Sequence, residues 1–169
     1  GTEVVSIAKS DGLVTTQNGI ILTVLTADCV PILYFDPVAK VIGISHGGWK
    51  GTLGNITSQV ILKMEEIGAS RQNIRVVIGP CIGSCCYELF GDRKSKFERM
   101  FSSRILRTEH GVSYLGLLQA NDELLLRSGV SPQHVESIHM CTSCNPNNFY
   151  SYHQSREIKG EMLSYICLT

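Results

Sequence analysis

An excess of charge of either sign is missing from this sequence. Lys plus Arg and Asp plus Glu each number 15, for a formal net charge of +0. A balanced chain has neither the basic field that draws a protein to nucleic acid nor the acidic block of a solvating tail. The partner predicted is a small molecule or another protein, with no nucleic acid. No apolar run approaches the ~20 residues of a membrane span, and the first residues lack the charged, apolar and small-residue order of a signal peptide. The reading is of an intracellular chain with no transmembrane segment. No internal repeat, low-complexity tract or proline-rich linker divides the 169 residues, 43% of them hydrophobic, which suits one domain with a sizeable core.

Cysteine, by contrast, is plentiful. Seven is an odd number, and the vicinal pair Cys85 and Cys86 does not suit a simple disulfide framework, so reduced thiols or metal ligands are expected. The triplet Asn55, Ile56 and Thr57 is a glycosylation sequon that matters only in a secreted protein and is discounted here. The chain opens on Gly-Thr-Glu-Val, strand-like and without methionine. That opening predicts a piece of something longer.

Apolar β-branched runs predict strands at Gly19–Leu25, Val30–Phe35, Val41–Ser45, Ile74–Ile78, Val135–His139, Phe149–His153 and Leu163–Cys167. Leu53, Ile56, Val60, Met64 and Ile67 recur at spacings of three and four, which predicts an amphipathic helix over Thr52–Ile67 stopped by Gly68. Weaker patterns predict helices at Glu88–Phe101 and Gln119–Ser128. Strands thus come both in hairpin-like pairs and separated by helices, and the predicted class is α+β: mixed, sandwich-like sheets flanked by helices.

Turn-prone Asp36 and Pro37 separate two of the apolar runs, predicting a hairpin. Centring its loop on Pro37 and Val38 sets Cys29 opposite His46, with Cβ atoms about 5 Å apart, a separation that suits a shared metal ion. A one-residue change of register would spoil the pairing. The plainer alternative is a small core cysteine and a hydrogen-bonded strand-end histidine. Against it stand polar Asp28 inside an apolar segment, costly unless paired or functional, and the run Gly47, Gly48, Trp49, Lys50 and Gly51. Glycines before a helix N-terminus expose N–H groups that favour an anion. Phosphate held at Gly47, Gly48 and Lys50 is the expectation.

Taken together, several segments resemble the laccase-domain family, once labelled multicopper polyphenol oxidoreductases and now linked to zinc-dependent purine nucleoside chemistry. The resemblance rests on Asp11-Gly-Leu-Val-Thr15, Thr26-Ala-Asp-Cys-Val-Pro31, His46-Gly-Gly-Trp-Lys-Gly51, Ile78-Gly-Pro-Cys-Ile-Gly83 with Cys86-Tyr-Glu88, Ala120-Asn121, Cys141-Thr142 and Phe149-Tyr-Ser-Tyr152. Any one of these motifs is weak; their order and spacing are specific. The sequence is most similar to the animal macrophage branch of the family. The resemblance implies a catalytic zinc whose ligands include Cys29 and His46, with a third ligand, a histidine, in a motif upstream that this sequence does not match. Residues 1–169 are then the C-terminal portion of one enzyme domain; an associated N-terminal piece would complete the site, and that piece or another protein is the expected partner. Departures from the family pattern include Gly116, His153 with Gln154, and Glu161.

Zinc with an open coordination position polarises an acceptor or activates water, and thiolate and imidazole suit it as ligands. The implied reactions are phosphorolysis of adenosine, inosine, guanosine and methylthioadenosine, and deamination of adenosine to inosine, in the cytoplasm, with nucleus and peroxisome as alternatives. Asp28 would orient a proton or a ribose hydroxyl, giving catalytic candidates Asp28, Cys29 and His46. Three rival readings compete with this one. A structural zinc on Cys81, Cys85 or Cys86, Cys141 and Cys144 is disfavoured by the irregular Cys81–Cys86 spacing. A copper oxidase needs many histidines, and the five here (His46, His110, His134, His139 and His153) form no dense motif. A non-catalytic interaction domain is the third.

Overall fold

The computed structural model describes residues 5, 7, 10–157 and 159–169, so the opening Gly-Thr-Glu-Val lies outside it. Five strands form the central sheet in the order β1 (Gly12–Thr15), β4 (Val41–Gly47), β3 (Val30–Asp36), β5 (Arg75–Ile78) and β8 (Val135–Ser137). Neighbours are antiparallel except β5 and β8, which run parallel. A two-stranded ribbon of β2 (Ile21–Thr26) and β9 (Met162–Cys167) and a hairpin of β6 (Leu106–Glu109) and β7 (Val112–Leu115) complete the strands. The helices are α1 (Trp49–Leu53), α2 (Ile56–Glu66), α3 (Arg93–Met100), α4 (Leu117–Arg127) and α5 (Tyr152–Ser155). This is the expected mixed α+β domain. Among the described residues no helix is long and apolar enough to cross a membrane.

Strand periodicity decides the layers. Ile42 and Ile44 on β4 point to one face, where they join Leu22 of the ribbon and Leu168 just beyond it. Ile32 and Tyr34 on β3 point to the other, into the main core with Val60, Ile61 and Met64 of α2 and Leu124 of α4. Fully burying side chains such as Val60 and Met64 contributes about 1.5–3 kcal/mol each. Gly43 lets α2 lie directly on β4, since a Cβ there would sit 3.1 Å from both Met64 Sδ and Val60 Cγ1. The buried Tyr34 hydroxyl shares a 2.9 Å hydrogen bond with Ser45 Oγ.

Several elements depart from the sequence expectation. The Thr52–Ile67 helix is two helices, because Gly54 and Asn55 break it; Asn55 is left-handed (φ 55°) and its side chain caps α2 by accepting from the Ser58 N–H. Of Glu88–Phe101 only Arg93–Met100 is helical, and Glu88 instead bridges Tyr114. The strand expected at Phe149–His153 is replaced by helix α5, begun at Ser151, whose Oγ accepts from the Gln154 N–H at 3.1 Å. Here a cap overrides β-propensity.

Candidate functional site

The hairpin joining β3 to β4 is real, but its register differs from the predicted one. Asp36 pairs with Val41 and Pro31 with His46, so Cys29 does not sit opposite His46. The cause is Asp36, whose Oδ1 accepts from the N–H groups of Val38 (2.8 Å) and Ala39 (3.0 Å), while Lys40 turns left-handed at φ 54°. That stretches the loop to Pro37–Lys40. The shift is by two residues, and a two-residue shift keeps every side chain on its original face.

Cys29 and His46 therefore stay on one face and still border a common space, with the direct partner of His46 two residues further along at Pro31. A Cβ placed on Gly48 would lie 3.2 Å from Cys29 Sγ and 3.4 and 3.5 Å from His46 Cε1 and Nε2. Both side chains occupy the space that the glycine leaves. His46 is oriented by Asp11, whose Oδ1 lies 3.0 Å from Nδ1. The other ring nitrogen, Nε2, borders the same space over Gly48 as the Cys29 sulfur. This is the carboxylate–histidine arrangement that fixes a ligand's tautomer. An imidazole nitrogen and a sulfur bordering one space are donor types that fit a thiophilic divalent ion such as zinc. Without such an ion, burial, with added repulsion from the Asp28 and Asp11 carboxylates, pushes the Cys29 thiol up to about 11.

Asp28 sets the bend that presents Cys29. Its φ is 88°, a region that non-glycine residues seldom occupy. The conformation is held from three directions: Oδ1 accepts from Thr142 Oγ1 at 2.6 Å, Oδ2 accepts from the His153 N–H at 2.7 Å, and its carbonyl accepts from the Ile82 N–H at 2.9 Å. The buried carboxylate that looked costly in the sequence is thus satisfied. Asp28 as a whole ties three distant segments to the residue before Cys29, two through its carboxylate and one through its carbonyl.

Gly47 and Gly51 have packing reasons too. A Cβ on Gly47 would meet Val30 Cβ and carbonyl oxygen at 3.1 Å and Asn121 Oδ1 at 3.2 Å; one on Gly51 would lie 2.9 Å from the His46 carbonyl. Buried Asn121 donates to Thr52 Oγ1 and to the Leu117 carbonyl, and so clamps α4 to α1, the helix that follows the His46 turn.

A cavity of about 300 Å³ opens beside Cys29, walled by Trp49, Tyr87, Phe90, Arg93, His153 and Arg156 among others. Arg93 stacks over the Trp49 ring at 4.4 Å, and Tyr87 meets His153 edge-on at 5.6 Å. Burial, with repulsion from Cys29, holds the Tyr87 hydroxyl up at about 12, and burial next to Arg156 lowers the His153 pKa. Flat aromatic walls with cations among them suit a planar heterocycle and an anion. Lys50 is not in this wall. It lines a separate space of about 420 Å³ with Asp11, Gln59 and Lys63. Asp11, Tyr87, Arg93, His153 and Arg156 had no assigned part in the sequence reading. Asp11 and Tyr87 lay inside quoted motifs and His153 stood among the departures from the family pattern; nothing local marked the arginines.

The cysteines regroup as well. Cys85, Cys86, Cys141 and Cys144 place their sulfurs within 4.8 Å of one another, a group able to hold a metal ion. Cys81, counted in the sequence-based cluster, is instead a core residue 3% exposed. Among the described residues no group of three or more ligand-type side chains that includes a histidine converges.

Fold and site together define a family. The sequence model of the family described as multi-copper polyphenol oxidoreductase laccase matches residues 1–169, and the chain belongs to that family. Among its relatives, purine nucleoside phosphorylase LACC1 of Mus musculus is 36% identical over 163 residues, 94% of this chain and 38% of the relative. Purine nucleoside phosphorylase YlmD of Bacillus subtilis is 30% identical over 165 residues, 95% of this chain and 59% of that one. The crystal structure of the hypothetical protein YfiH of Bacillus licheniformis matches with a TM-score of 0.88 at 34% identity, over 95% of this chain and 62% of that chain. The chain therefore spans less than two thirds of the length of each.

Proposed function

We propose that residues 1–169 supply two ligands and the base-binding wall of a zinc-dependent purine nucleoside phosphorylase. The observation that carries this reading is the convergence of Cys29 Sγ and His46 Nε2 above Gly48, at the edge of an aromatic and cationic cavity. Relatives named purine nucleoside phosphorylases support it. A third histidine ligand would come from outside these residues.

In this reading the purine lies against Trp49 and Tyr87, and Arg93 and Arg156 hold phosphate. A phosphate oxygen bonds to the ribose anomeric carbon as the N-glycosidic bond breaks, the bond's electron pair goes to the purine nitrogen, and the base leaves with the proton that hydrogen phosphate gives up. Zinc, when bound, supplies Lewis-acid polarisation. Asp11 fixes the His46 tautomer, and Asp28 positions Cys29 instead of handling a proton. Gly47 and Gly48 contribute by leaving room. The same site would deaminate adenosine, exchanging the amine for water with loss of ammonia, and would accept inosine, guanosine and methylthioadenosine for phosphorolysis. The cytoplasm is the proposed compartment.

The test is incubation of the purified protein with each nucleoside, with and without phosphate, followed by chromatography. Phosphate-dependent release of free base with ribose 1-phosphate, lost in Cys29→Ser, supports the reading. Unchanged nucleoside under all conditions supports a non-catalytic interaction domain instead.

A further inference from the structure

Outside the candidate active site, two turns carry chemistry that the proposed reaction does not use. One runs through Gly83, Cys85 and Cys86; the other is Cys141-Thr-Ser-Cys144, a two-residue ligand spacing common in structural zinc sites. The backbone splices them together: Cys81 and Cys141 form a parallel bridge, and the Thr142 N–H donates to the Cys81 carbonyl at 3.0 Å. The four sulfurs all lie within 4.8 Å of one another, with Cys144 at 3.5 Å from Cys85 and 3.4 Å from Cys86. A tetrahedron of Zn–S bonds of about 2.3 Å sets its sulfurs about 3.8 Å apart. The Gly83 N–H donates to Cys141 Sγ at 3.2 Å, which stabilises a thiolate. Gly83 also repeats the device seen at Gly48, since a Cβ there would lie 3.1 Å from Cys85 Sγ and 3.5 Å from Cys141 Sγ.

We infer that Cys85, Cys86, Cys141 and Cys144 form a second, structural zinc site, which staples the two turns that hold the Asp28 bend. Four thiolates and no open position are the closed donor set of a structural site. Binding displaces the thiol protons to solvent. The location gives the site its purpose. Ile82, on one stapled segment, donates its N–H to the Asp28 carbonyl, and Thr142, on the other, donates its hydroxyl to the Asp28 carboxylate. The metal thus fixes two of the contacts that present Cys29, without touching the reacting atoms. This inference stands independently of the purine reading.

The test uses the Cys29→Ser/His46→Ala protein, which retains all four cysteines. Elemental analysis is expected to find about one zinc per chain, and cobalt substitution is expected to give the intense charge-transfer absorption of a tetrahedral tetrathiolate. Adding Cys141→Ser and Cys144→Ser should abolish both. A parallel measurement on the unaltered protein guards against misfolding. Cys85 and Cys144 are exposed, yet should resist alkylation until a chelator is added. Zinc-free protein with no thiolate absorption, or alkylation of these exposed thiols at the rate of free cysteine, would overturn the inference. So would a Cys144 disulfide to Cys85 or Cys86 in protein purified with zinc.

Discussion

Asp11 and Asp36 show how much one carboxylate can fix. Asp11 holds His46 through Nδ1, and outer-shell partners of this type typically change metal affinity by about 10–100-fold. Asp11→Asn is therefore expected to weaken zinc binding by that factor with little change in fold, read by competition with a chromogenic chelator. Asp36 is wholly buried. Burial alone would raise its pKa, but N–H groups of Ser70, Ala39 and Val38 outweigh it and hold the carboxyl below its ordinary value. A folded-state value below the unfolded one, about 3.9, gives stability that is present at neutral pH and is lost as pH falls through the folded value. Asp36→Asn should lower the melting temperature at pH 7, and the gap from wild type should close as the pH is taken down through the acid range. A gap independent of pH would contradict this account.

At the scale of elements, the β4 to α1 turn is the part most sensitive to bulk. Gly48→Ala puts a methyl group against Cys29 Sγ and the His46 ring. Overpacking of this kind costs about 1–3 kcal/mol in stability, but the larger effect expected is on metal content, because both of the proposed ligands must move. Zinc retained at wild-type affinity in a folded Gly48→Ala protein would contradict the geometry. The sequence made the central strands and α2 visible because their apolar periodicities are strong. It did not show β1, a four-residue strand half-buried throughout, or the β6–β7 hairpin, nor did it show α5, whose aromatic residues read as strand until a capping serine and the Asp28 contact to His153 turned them. Cys29 and His46 were legible because one hairpin holds both. Its register was not, because the Asp36 loop geometry sets it.

For the molecule as a whole, the cavity is assembled from segments far apart in the chain. Trp49 comes from α1, Arg93 from α3, His153 and Arg156 from α5 and its end. No local spacing announces such a wall, which is why the sequence drew attention to Lys50 for phosphate while the proposed reading uses the arginines of this cavity. A hydrogen bond to a charged group contributes about 1.5–3 kcal/mol, so Arg93→Ala should raise the KM for phosphate by about 10–100-fold with a smaller change in kcat. Lys50→Ala should leave that KM near wild type. The reverse ranking would return phosphate to the Lys50 side.

The most direct measurement is phosphate-dependent conversion of inosine to hypoxanthine and ribose 1-phosphate by the zinc-loaded protein, compared with its Cys29→Ser and His46→Ala variants. Turnover that requires phosphate and zinc and disappears in both variants is the predicted result. Turnover that survives loss of either Cys29 or His46, or no turnover in zinc-replete protein that also carries the upstream histidine, would contradict the assignment.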